Sequence, residues 1–388
     1  MRGRHTSSVC LANGRKLNAS DRPRFAGRVG FQQRVLPAYR AGFFDRLARD
    51  CGGGLSLIAG KPRRSEAILT ADRLQTARYV SARNIHLLSG GFYLCLQRGL
   101  RNWLNEWDPD VLILEANPRY LTNSMAMTWM RRRGRPVIGW GLGAPPIGGG
   151  SARFRELLRR RYLKRFDALV AYSTRGAVEY RAQGANESRI FVAPNAVTPP
   201  PSPAPSRRAP VDRSVRLLSV GRLQARKRID LLLRACRGLQ PPPDVWIVGD
   251  GPERETLEEL ARRDFPEAHF TGALEGEALR EQYLQADLFV LPGTGGLAVQ
   301  EAMAFGLPVI VAEGDGTQED LVQTENGWLV AGGDGEALRS ALLQAFSDPQ
   351  GLVRRGLASH RLVVERFNID VMAGVFVNAM MRVTSRGA

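Results

Sequence analysis

Short apolar runs alternate with amphipathic stretches along most of this chain, and the alternation predicts strands and helices in turn. In the first half, the predicted strands are residues 28–32, 55–59, 84–88, 111–114, 136–139 and 168–172. The predicted helices between them are residues 39–50, 94–106, 124–133 and 152–166. Apolar strands separated by helices are typical of a parallel sheet that is covered on both faces.

A proline-rich segment, PPPSPAPSRRAP at residues 199–210, interrupts this alternation. Such a segment acts as a semi-rigid spacer and suits neither a helix nor a central strand, so it marks the predicted domain boundary. The alternation then resumes, with predicted strands at 215–220, 244–248, 269–271, 288–291 and 308–312 and predicted helices at 230–239, 253–264 and 277–286. We therefore predict an α/β protein of two doubly wound, Rossmann-like domains that face a cleft.

The chain of 388 residues is long enough for about two domains. We predict a disordered basic extension at 1–27, a first domain at 28–198, a linker at 199–212, a second domain at 213–365 and a final helix at 366–388 that packs back on the first domain. No apolar run reaches the ~18–20 residues of a membrane-spanning helix. The scattered cysteines are typical of reduced thiols in a cytosolic protein, and no zinc site is expected.

Charged residues are distributed unequally between the two halves of the chain. Residues 1–200 hold 34 Lys and Arg against 13 Asp and Glu, whereas residues 201–388 hold 21 against 25, which together give the net charge of +17. Only the first half is therefore expected to meet a polyanion. Aromatic residues that could stack on bases are few near its arginine clusters, so an anionic membrane surface is favoured over nucleic acid. A solvated basic face is the alternative.

One stretch, LPGTGGLAVQEAMAFGLPVIVAE at residues 291–313, carries candidate chemistry. Its glycine-rich turn opens a predicted helix, and unpaired N–H groups at a helix start form an anion site. Glu301 follows within the same helix, where a carboxylate would repel a phosphate unless it binds sugar or ribose hydroxyls. The pair favours a nucleotide-sugar site. The alternative is an ordinary strand-turn-helix unit whose glycines serve packing.

Two more strand-end turns open the second half. Gly221-Arg222-Leu223 is followed by Lys227, so two cations lie where they can reach a phosphate in the cleft. Further along, Val248-Gly249-Asp250-Gly251-Pro252 is a strand end with a proline suited to a first helical turn. Each turn alone is a weak signal, because such turns are common in α/β proteins.

The order of these motifs is more specific than any one of them. GRL and Lys227, VGDGP, Thr271-Gly272, ADLFVLP and QEAMAFGLPVIV follow one another in the second half. This set resembles the donor-nucleotide domain of the glycosyltransferase family 4 group, which are retaining enzymes of GT-B architecture. The resemblance covers residues 28–375 and is specific in the second half and diffuse in the first.

The resemblance implies roles for individual residues. Arg222 and Lys227 match the pair that grips the donor diphosphate, and Glu301 matches the glutamate that holds the ribose hydroxyls. Gly295, Gly296 and Leu297 match the loop whose amides contact phosphate and sugar. The catalytic candidates are thus Arg222, Lys227 and Glu301, and the other donor-side candidates are Gly221, Gly249, Asp250, Gly272, Leu274, Gly293, Thr294, Gly295, Gly296 and Leu297.

Two positions depart from the family pattern. Gly293 stands where the family usually has a first glutamate, which touches the donor sugar. In the first domain, the histidine that many members carry after the fourth strand is replaced by the sequence LEANPR at 114–119. Glu115, Asn117 and Gly42 are the acceptor-side candidates in its place, and a plain strand-end turn is the alternative for the first two.

Two further patterns are interpreted as structural. Asp108-Pro109-Asp110 imitates a metal-binding DxD motif but directly precedes a strand, where Asp and Pro are ordinary turn residues. The sequence GWGLGA at 139–144 matches a dinucleotide-binding fingerprint, yet prolines and glycines follow it instead of a helix. We expect neither a metal nor a nicotinamide or flavin cofactor.

The resemblance and the charge together predict a retaining, metal-independent glycosyltransferase. It would move a sugar from a nucleotide-sugar to a glycan or polyprenyl-linked acceptor in polysaccharide or cell-envelope glycan biosynthesis. It would be cytoplasmic and peripheral on the inner membrane face, with no nucleic-acid partner. The alternatives are a sugar-nucleotide epimerase or hydrolase of the same fold, and a non-catalytic nucleotide-sugar binding protein.

Overall fold

The first sheet contains eight strands. The computed structural model describes residues 23–66, 68–88, 90, 93–150, 152–203 and 205–385. The strands are β1 (Val29–Val35), β2 (Leu55–Gly60), β3 (Arg78–Leu87), β4 (Leu94–Arg98), β5 (Val111–Glu115), β6 (Val137–Gly141), β7 (Ala168–Ala171) and β8 (Ile190–Val192). They lie in the order β4-β3-β2-β1-β5-β6-β7-β8, and all neighbours are parallel except β3 and β4.

Helices cover both faces of this sheet. They are α1 (Ala41–Arg49), α2 (Leu100–Trp107), α3 (Leu121–Arg131), α4 (Ala152–Leu163) and α5 (Thr174–Ala182). Because side chains alternate along a strand, Val111 and Ile113 of β5 lie in one core, whereas Leu112 and Leu114 lie in the other. The continuous apolar strands of the sequence reflect this double burial.

The second sheet has six parallel strands, and helices alternate with these strands and follow them in the chain. The strands are β9 (Arg216–Val220), β10 (Asp244–Val248), β11 (His269–Gly272), β12 (Leu288–Leu291), β13 (Val309–Ala312) and β14 (Gly327–Val330), in the order β11-β10-β9-β12-β13-β14. The helices are α6 (Ile229–Cys236), α7 (Arg254–Asp264), α8 (Gly276–Gln285), α9 (Leu297–Ala304), α10 (Thr317–Leu321), α11 (Gly335–Ser347), α12 (Pro349–Glu365) and α13 (Ile369–Thr384). The predicted two-sheet α/β architecture is confirmed.

The predicted helix at 94–106 is wrong in its first half. Leu94–Arg98 is strand β4, antiparallel to β3, and the helix begins only at Leu100. Cys95 and Gln97 are buried on one side of β4, and Gly99 has a φ of 94° that ends the strand in a left-handed turn. A strand pattern of only five residues is too short to be distinguished from the helical pattern that directly follows it.

The segment that joins the two sheets is irregular over its described residues. Within the described part of residues 199–212, the chain forms neither helix nor strand. Most of the predicted disordered extension lies outside the described residues. Phe25, near its end, is nevertheless 6% exposed and donates its N–H to the carbonyl of Asp50 at 2.9 Å, so the packed chain begins before residue 28.

The last helix, α13, packs on the first sheet rather than the second. The ring of Phe376 lies 5.3 Å from that of Phe43 and 5.3 Å from that of Trp140, measured between centroids. At its start, Arg46 of α1 pairs with Asp370 at 2.5 Å. None of the helices within the described ranges combines the length and apolar character needed to span a bilayer.

Truncation of Phe376 should therefore destabilise the first domain. Phe376 is fully buried, so Phe376→Ala leaves a cavity among aromatic rings and should lower the free energy of unfolding by about 3–5 kcal/mol. Chemical denaturation measures this change. Leu357→Ala, at a side chain 53% exposed on α12, is the control and should cost no more than about 0.5 kcal/mol. Equal midpoints for the two variants would contradict the packing role of α13.

Candidate functional site

Three glycine turns lie side by side at the carboxyl edge of the second sheet. Gly249 donates its N–H to the carbonyl of Gly272 at 2.8 Å. A Cβ added to Gly249 would lie 2.0 Å from the carbonyl oxygen of Gly221. All three glycines have positive φ, of 149° at Gly221, 142° at Gly249 and 75° at Gly272. The turns that follow β9, β10 and β11 therefore form one surface of exposed backbone, where no side chain fits at Gly249.

The turn before α9 joins this surface through Gly293. A Cβ at Gly293 would lie 2.2 Å from the carbonyl oxygen of Arg226 and 2.5 Å from the carbonyl carbon of Lys227. The N–H of Thr294 donates to the same Arg226 carbonyl at 2.9 Å. At Gly293, the loop that carries Lys227 therefore touches the glycine-rich turn before α9. A glutamate side chain has no space at this position unless the backbone moves.

Gln318 organises the rest of the glycine turn. Its side chain is fully buried, and Nε2 donates to the carbonyls of Gly293 at 2.8 Å and Ala312 at 2.9 Å. Its Oε1 accepts from the N–H of Gly295 at 3.3 Å. In the described part of the chain, the backbone N–H groups of Gly296 and Leu297 have no hydrogen-bond acceptor. These two N–H groups lie at the start of α9 and are available to an anion.

The ammonium of Lys227 lies between two of the glycine turns. A Cβ at Gly295 would lie 2.2 Å from its Nζ, and one at Gly221 would lie 3.6 Å away. Lys227 is 9% exposed, and no carboxylate among the described residues forms an ion pair with it. Burial and then the charge of Arg226 lower the pKa of Lys227 to about 8, and Asp315 opposes them. A buried cation beside free amides is chemically suited to a phosphate.

Glu301 lies further along α9 and is held by one phenol. The hydroxyl of Tyr283 donates to Oε2 of Glu301 at 3.1 Å, and Tyr283 itself is fully buried. Burial raises the pKa of Glu301, and the Tyr283 hydrogen bond partly offsets this rise. Among the residues that the structure describes, no donor bonds to the other oxygen, Oε1, which is therefore available to a hydroxyl group. Tyr283 was not predicted, because it belongs to α8 and only the tertiary fold brings it to α9.

The remaining donor-side candidates have mainly structural contacts. Asp250 accepts from the N–H of Gly251 at 2.7 Å through its own side chain and so closes the turn after β10. Leu274 is partly buried against the apolar core of the second domain. Thr294 accepts at Oγ1 from Arg226 at 3.3 Å. These three residues line or support the same edge of the sheet.

Arg222 reaches across to the first domain. Its guanidinium donates to the backbone carbonyl of Glu66 at 2.9 Å. The Glu66 side chain in turn pairs with Arg34, at the end of β1, at 2.8 Å. Arg34 also donates its backbone N–H to Oε2 of Glu115 at 3.2 Å. The structure thus connects Arg222 with Glu115 through two intervening residues.

Glu115 ends β5 at the carboxyl edge of the first sheet. Burial raises its pKa to about 7, although Arg34, Tyr120 and Arg40 all favour the ionised form. Asn117 accepts from the N–H of Arg119 at 3.0 Å, so its side chain closes a turn. Gly42 is exposed at the start of α1, with open space where a side chain would point. Of the three acceptor-side candidates, only Glu115 has the environment of a reactive group.

A second connection between the domains was not predicted. Arg40 is 4% exposed, lies over the Trp140 ring at 5.0 Å and donates to the side chain of Asn195. The backbone carbonyl of Asn195 accepts from Gln300 at 2.6 Å. Gln300 directly precedes Glu301 on α9, so this chain of contacts reaches the helix that carries the candidate Glu301. An arginine directly before the stretch AGFF at 41–44 is the signal in the sequence that could have identified it.

The two patterns interpreted as structural have structural partners. Asp108 pairs with Arg28 at 2.9 Å and Arg135 at 2.5 Å, and Asp110 accepts from the N–H of Arg28 at 2.7 Å. In the GWGLGA sequence, Gly139 packs on Leu169, and α4 begins only at Ala152. Across the described residues, no group of three or more His, Cys, Asp or Glu side chains is arranged to hold a metal ion.

Comparison with protein families finds two matches that together take in both domains. Residues 206–358 match the family described as glycosyl transferases group 1. Residues 47–196 match the family described as glycosyl transferase 4-like domain. The first match contains the whole donor-side edge described above, and the second contains Glu115 and Asn195.

Curated relatives are similar over parts of the chain. The D-inositol 3-phosphate glycosyltransferase of Xylanimonas cellulosilytica is 34% identical over 57% of this chain and 58% of its own length. The GDP-mannose-dependent alpha-(1-6)-phosphatidylinositol monomannoside mannosyltransferase of Mycolicibacterium smegmatis is 30% identical over 40% of this chain and 44% of its own. The sulfoquinovosyl transferase of Arabidopsis thaliana is 38% identical over 29% of this chain and 22% of its own length. The chain thus spans between about a fifth and three fifths of these relatives.

Solved structures share the fold over nearly the full length. Sucrose-phosphate synthase from Thermosynechococcus elongatus has a TM-score of 0.68, with 18% identity over 92% of this chain and 99% of that chain. The Anabaena protein HepE in complex with UDP-glucose has a TM-score of 0.62, with 14% identity over 93% of this chain and 99% of that chain. The arrangement of two Rossmann-like domains is therefore the GT-B fold.

The contact at Gly293 leads to a prediction about donor binding. Gly293→Ala places a methyl group against the Arg226 carbonyl, which must shift the loop that carries Lys227. We expect a loss of about 1–3 kcal/mol in unfolding free energy and loss of stabilisation by a nucleoside diphosphate, both measured by thermal denaturation. Gly374→Ala on α13, where a Cβ meets nothing within 4 Å, is the control. Normal diphosphate stabilisation of Gly293→Ala would refute the contact's role.

Proposed function

This chain belongs to the glycosyltransferase family 4 group with the GT-B fold, and on that premise we propose that it transfers a sugar from a nucleotide-sugar donor to a glycan or lipid-linked acceptor. The observation that carries the proposal is the position of Lys227 between the glycine turns at Gly221 and Gly295. It lies beside the turn that contributes the free amides of Gly296 and Leu297, and Glu301 follows on the same helix.

The donor diphosphate is assigned to Lys227, Arg222 and the α9 amides. Lys227 supplies a compact charge at a site where burial keeps water away, which strengthens its attraction for phosphate oxygens. The two amides point from the start of α9, where the helix dipole also favours an anion. Glu301 is assigned to the ribose hydroxyls, because Tyr283 holds one of its oxygens and leaves the other as an acceptor.

Transfer with retention is proposed to need no covalent enzyme intermediate. The bond between the anomeric carbon and the diphosphate oxygen breaks while the acceptor oxygen bonds to that carbon on the same face. The acceptor's proton passes to the leaving diphosphate. Lys227, Arg222 and the amides of Gly296 and Leu297 stabilise the negative charge that develops on the diphosphate, and no metal ion is required for this role.

The acceptor is assigned to the edge of the first sheet that faces the donor site. Glu115 is the one candidate there whose pKa, about 7, allows it to exchange a proton near neutral pH. It is proposed to accept a hydrogen bond from the acceptor hydroxyl and orient it. The basic first half supports a further assignment, in which this domain lies on the anionic inner face of a membrane that carries the acceptor.

A donor screen tests the proposal directly. Thermal denaturation with UDP-, GDP- and dTDP-sugars should identify one donor that stabilises the folded chain, by about 2.7 kcal/mol at a hundred times its Kd. Lys227→Ala should abolish this stabilisation and lower turnover by on the order of 100–1000-fold. Arg237→Ala, 70% exposed in its side chain beyond the end of α6, is the matched control. No stabilisation by any donor in the wild type would overturn the assignment.

The depressed pKa of Lys227 predicts a pH limit. The protonated ammonium is the form that binds phosphate, and its charge is present below pH 8 and lost above it. We expect kcat/KM for the donor to fall about tenfold per pH unit above pH 8. Lys227→Arg keeps its charge throughout this range, so any activity it retains should lack this alkaline limb. A wild-type profile that stays flat up to pH 9.5 would argue against a role for this ammonium.

A further inference from the structure

Helix α4 presents apolar side chains to solvent. Phe154 is 63% exposed, Leu157 45% and Leu158 47%. Residues three and four positions apart lie on one side of a helix, so these three side chains form a single patch. Leu343 and Leu357 are each the single exposed large apolar residue of α11 and of α12, which is ordinary for a protein surface. The apolar patch on α4 is therefore a candidate binding surface.

Cations surround this patch. The exposed basic residues on or just after α4 are Arg153, Arg155, Arg160, Arg161 and Lys164. Arg161 lies three and four positions after the two leucines and so continues the apolar side of the helix. The single acidic residue of the helix, Glu156, lies 3.8 Å from Arg159. Among the described residues, no carboxylate forms an ion pair with the five exposed cations.

The patch lies at the edge of the first sheet that faces the donor domain. Strand β6 runs parallel to β5 with Trp140 opposite Glu115, so the chain leaves β6 at the same edge as Glu115. The loop that follows leads directly into α4, and Arg159 holds it by donating to the carbonyl of Pro145 at 2.7 Å. The first turns of α4, which carry the apolar patch, are therefore close to the mouth of the cleft.

We propose that α4 docks this chain on an anionic lipid bilayer, with Phe154, Leu157 and Leu158 inserted among the lipid chains and the arginines against the lipid phosphates. A basic helix with an exposed apolar side is suited to the boundary between headgroups and acyl chains. Nucleic acid would satisfy the charges but leave the apolar patch in water. The inference deepens the proposed function, on which it rests, because it would bring a lipid-linked acceptor to the cleft beside Glu115.

Vesicle binding tests this assignment. The wild-type chain should sediment with vesicles of phosphatidylcholine and phosphatidylglycerol, and only weakly with phosphatidylcholine alone. The triple variant Phe154→Ser, Leu157→Ser and Leu158→Ser should bind the mixed vesicles on the order of 10–100-fold more weakly. The control is Leu343→Ser with Leu357→Ser, whose side chains are 51% and 53% exposed on α11 and α12, and it should bind as the wild type does.

A second variant separates the two contributions. Arg160→Gln with Arg161→Gln should weaken binding at low salt and have much less effect in about 1 M salt, where charges are screened within ~3 Å. The apolar variant should weaken binding at both salt concentrations. Tryptophan fluorescence of Phe154→Trp tests insertion. The added emission should shift to shorter wavelength when the mixed vesicles are present.

Four results would contradict the docking role of α4. Full vesicle binding by the triple serine variant, absence of binding by the wild type, or equal binding to neutral vesicles would each overturn the docking role of α4. Tight binding of duplex DNA that competes with the vesicles would also overturn it. Donor-induced thermal stabilisation should be unchanged in the triple variant, because no α4 residue lies at the donor site. If the wild type lacks that stabilisation, the proposed transfer fails independently of the result with vesicles.

Discussion

Direct contact between backbone segments at the carboxyl edge of the second sheet is the constraint on which the proposed donor site depends. Gly249 lies against the carbonyl of Gly221, and Gly293 lies against the carbonyl of Arg226. Even one added carbon at either glycine would come within about 2.2 Å of a carbonyl oxygen. Because no side chain occupies these contacts, the turns after β9, β10 and β12 pack together, and the buried Lys227 ammonium lies between them.

This packing also explains a departure from the family pattern. A glutamate at position 293 would need the space that the backbone of Arg226 and Lys227 fills. The buried amide of Gln318 holds the turn in its place, through hydrogen bonds to Gly293 and Gly295. The site therefore has one carboxylate on α9, Glu301, and a lysine whose pKa is lowered by burial. Without the glutamate that the resemblance implies at position 293, the site carries one negative charge fewer.

The two domains are coupled by polar contacts as well as by the chain. Arg222 bonds to the carbonyl of Glu66, and Gln300 bonds to the carbonyl of Asn195. Helix α13 belongs to the second half of the sequence but completes the core of the first sheet. The contacts of Arg222 and Gln300 place elements that carry candidate site residues against the first domain, so the relative position of the domains bears directly on the site.

The sequence by itself determined the α/β alternation, the two-domain arrangement and the positions of most strands, because repeated apolar runs and glycine turns are local signals. It also indicated Lys227, Glu301 and the glycine turn, which stand in a characteristic order. Only the tertiary structure decided that Leu94–Arg98 is a strand, that Tyr283 holds Glu301, and that Gly293 touches Arg226. These facts depend on residues distant in sequence, and burial by those residues sets the pKa values of Lys227 and Glu115. Local pattern specifies the elements, whereas the environment of each reactive group arises only when the elements pack together.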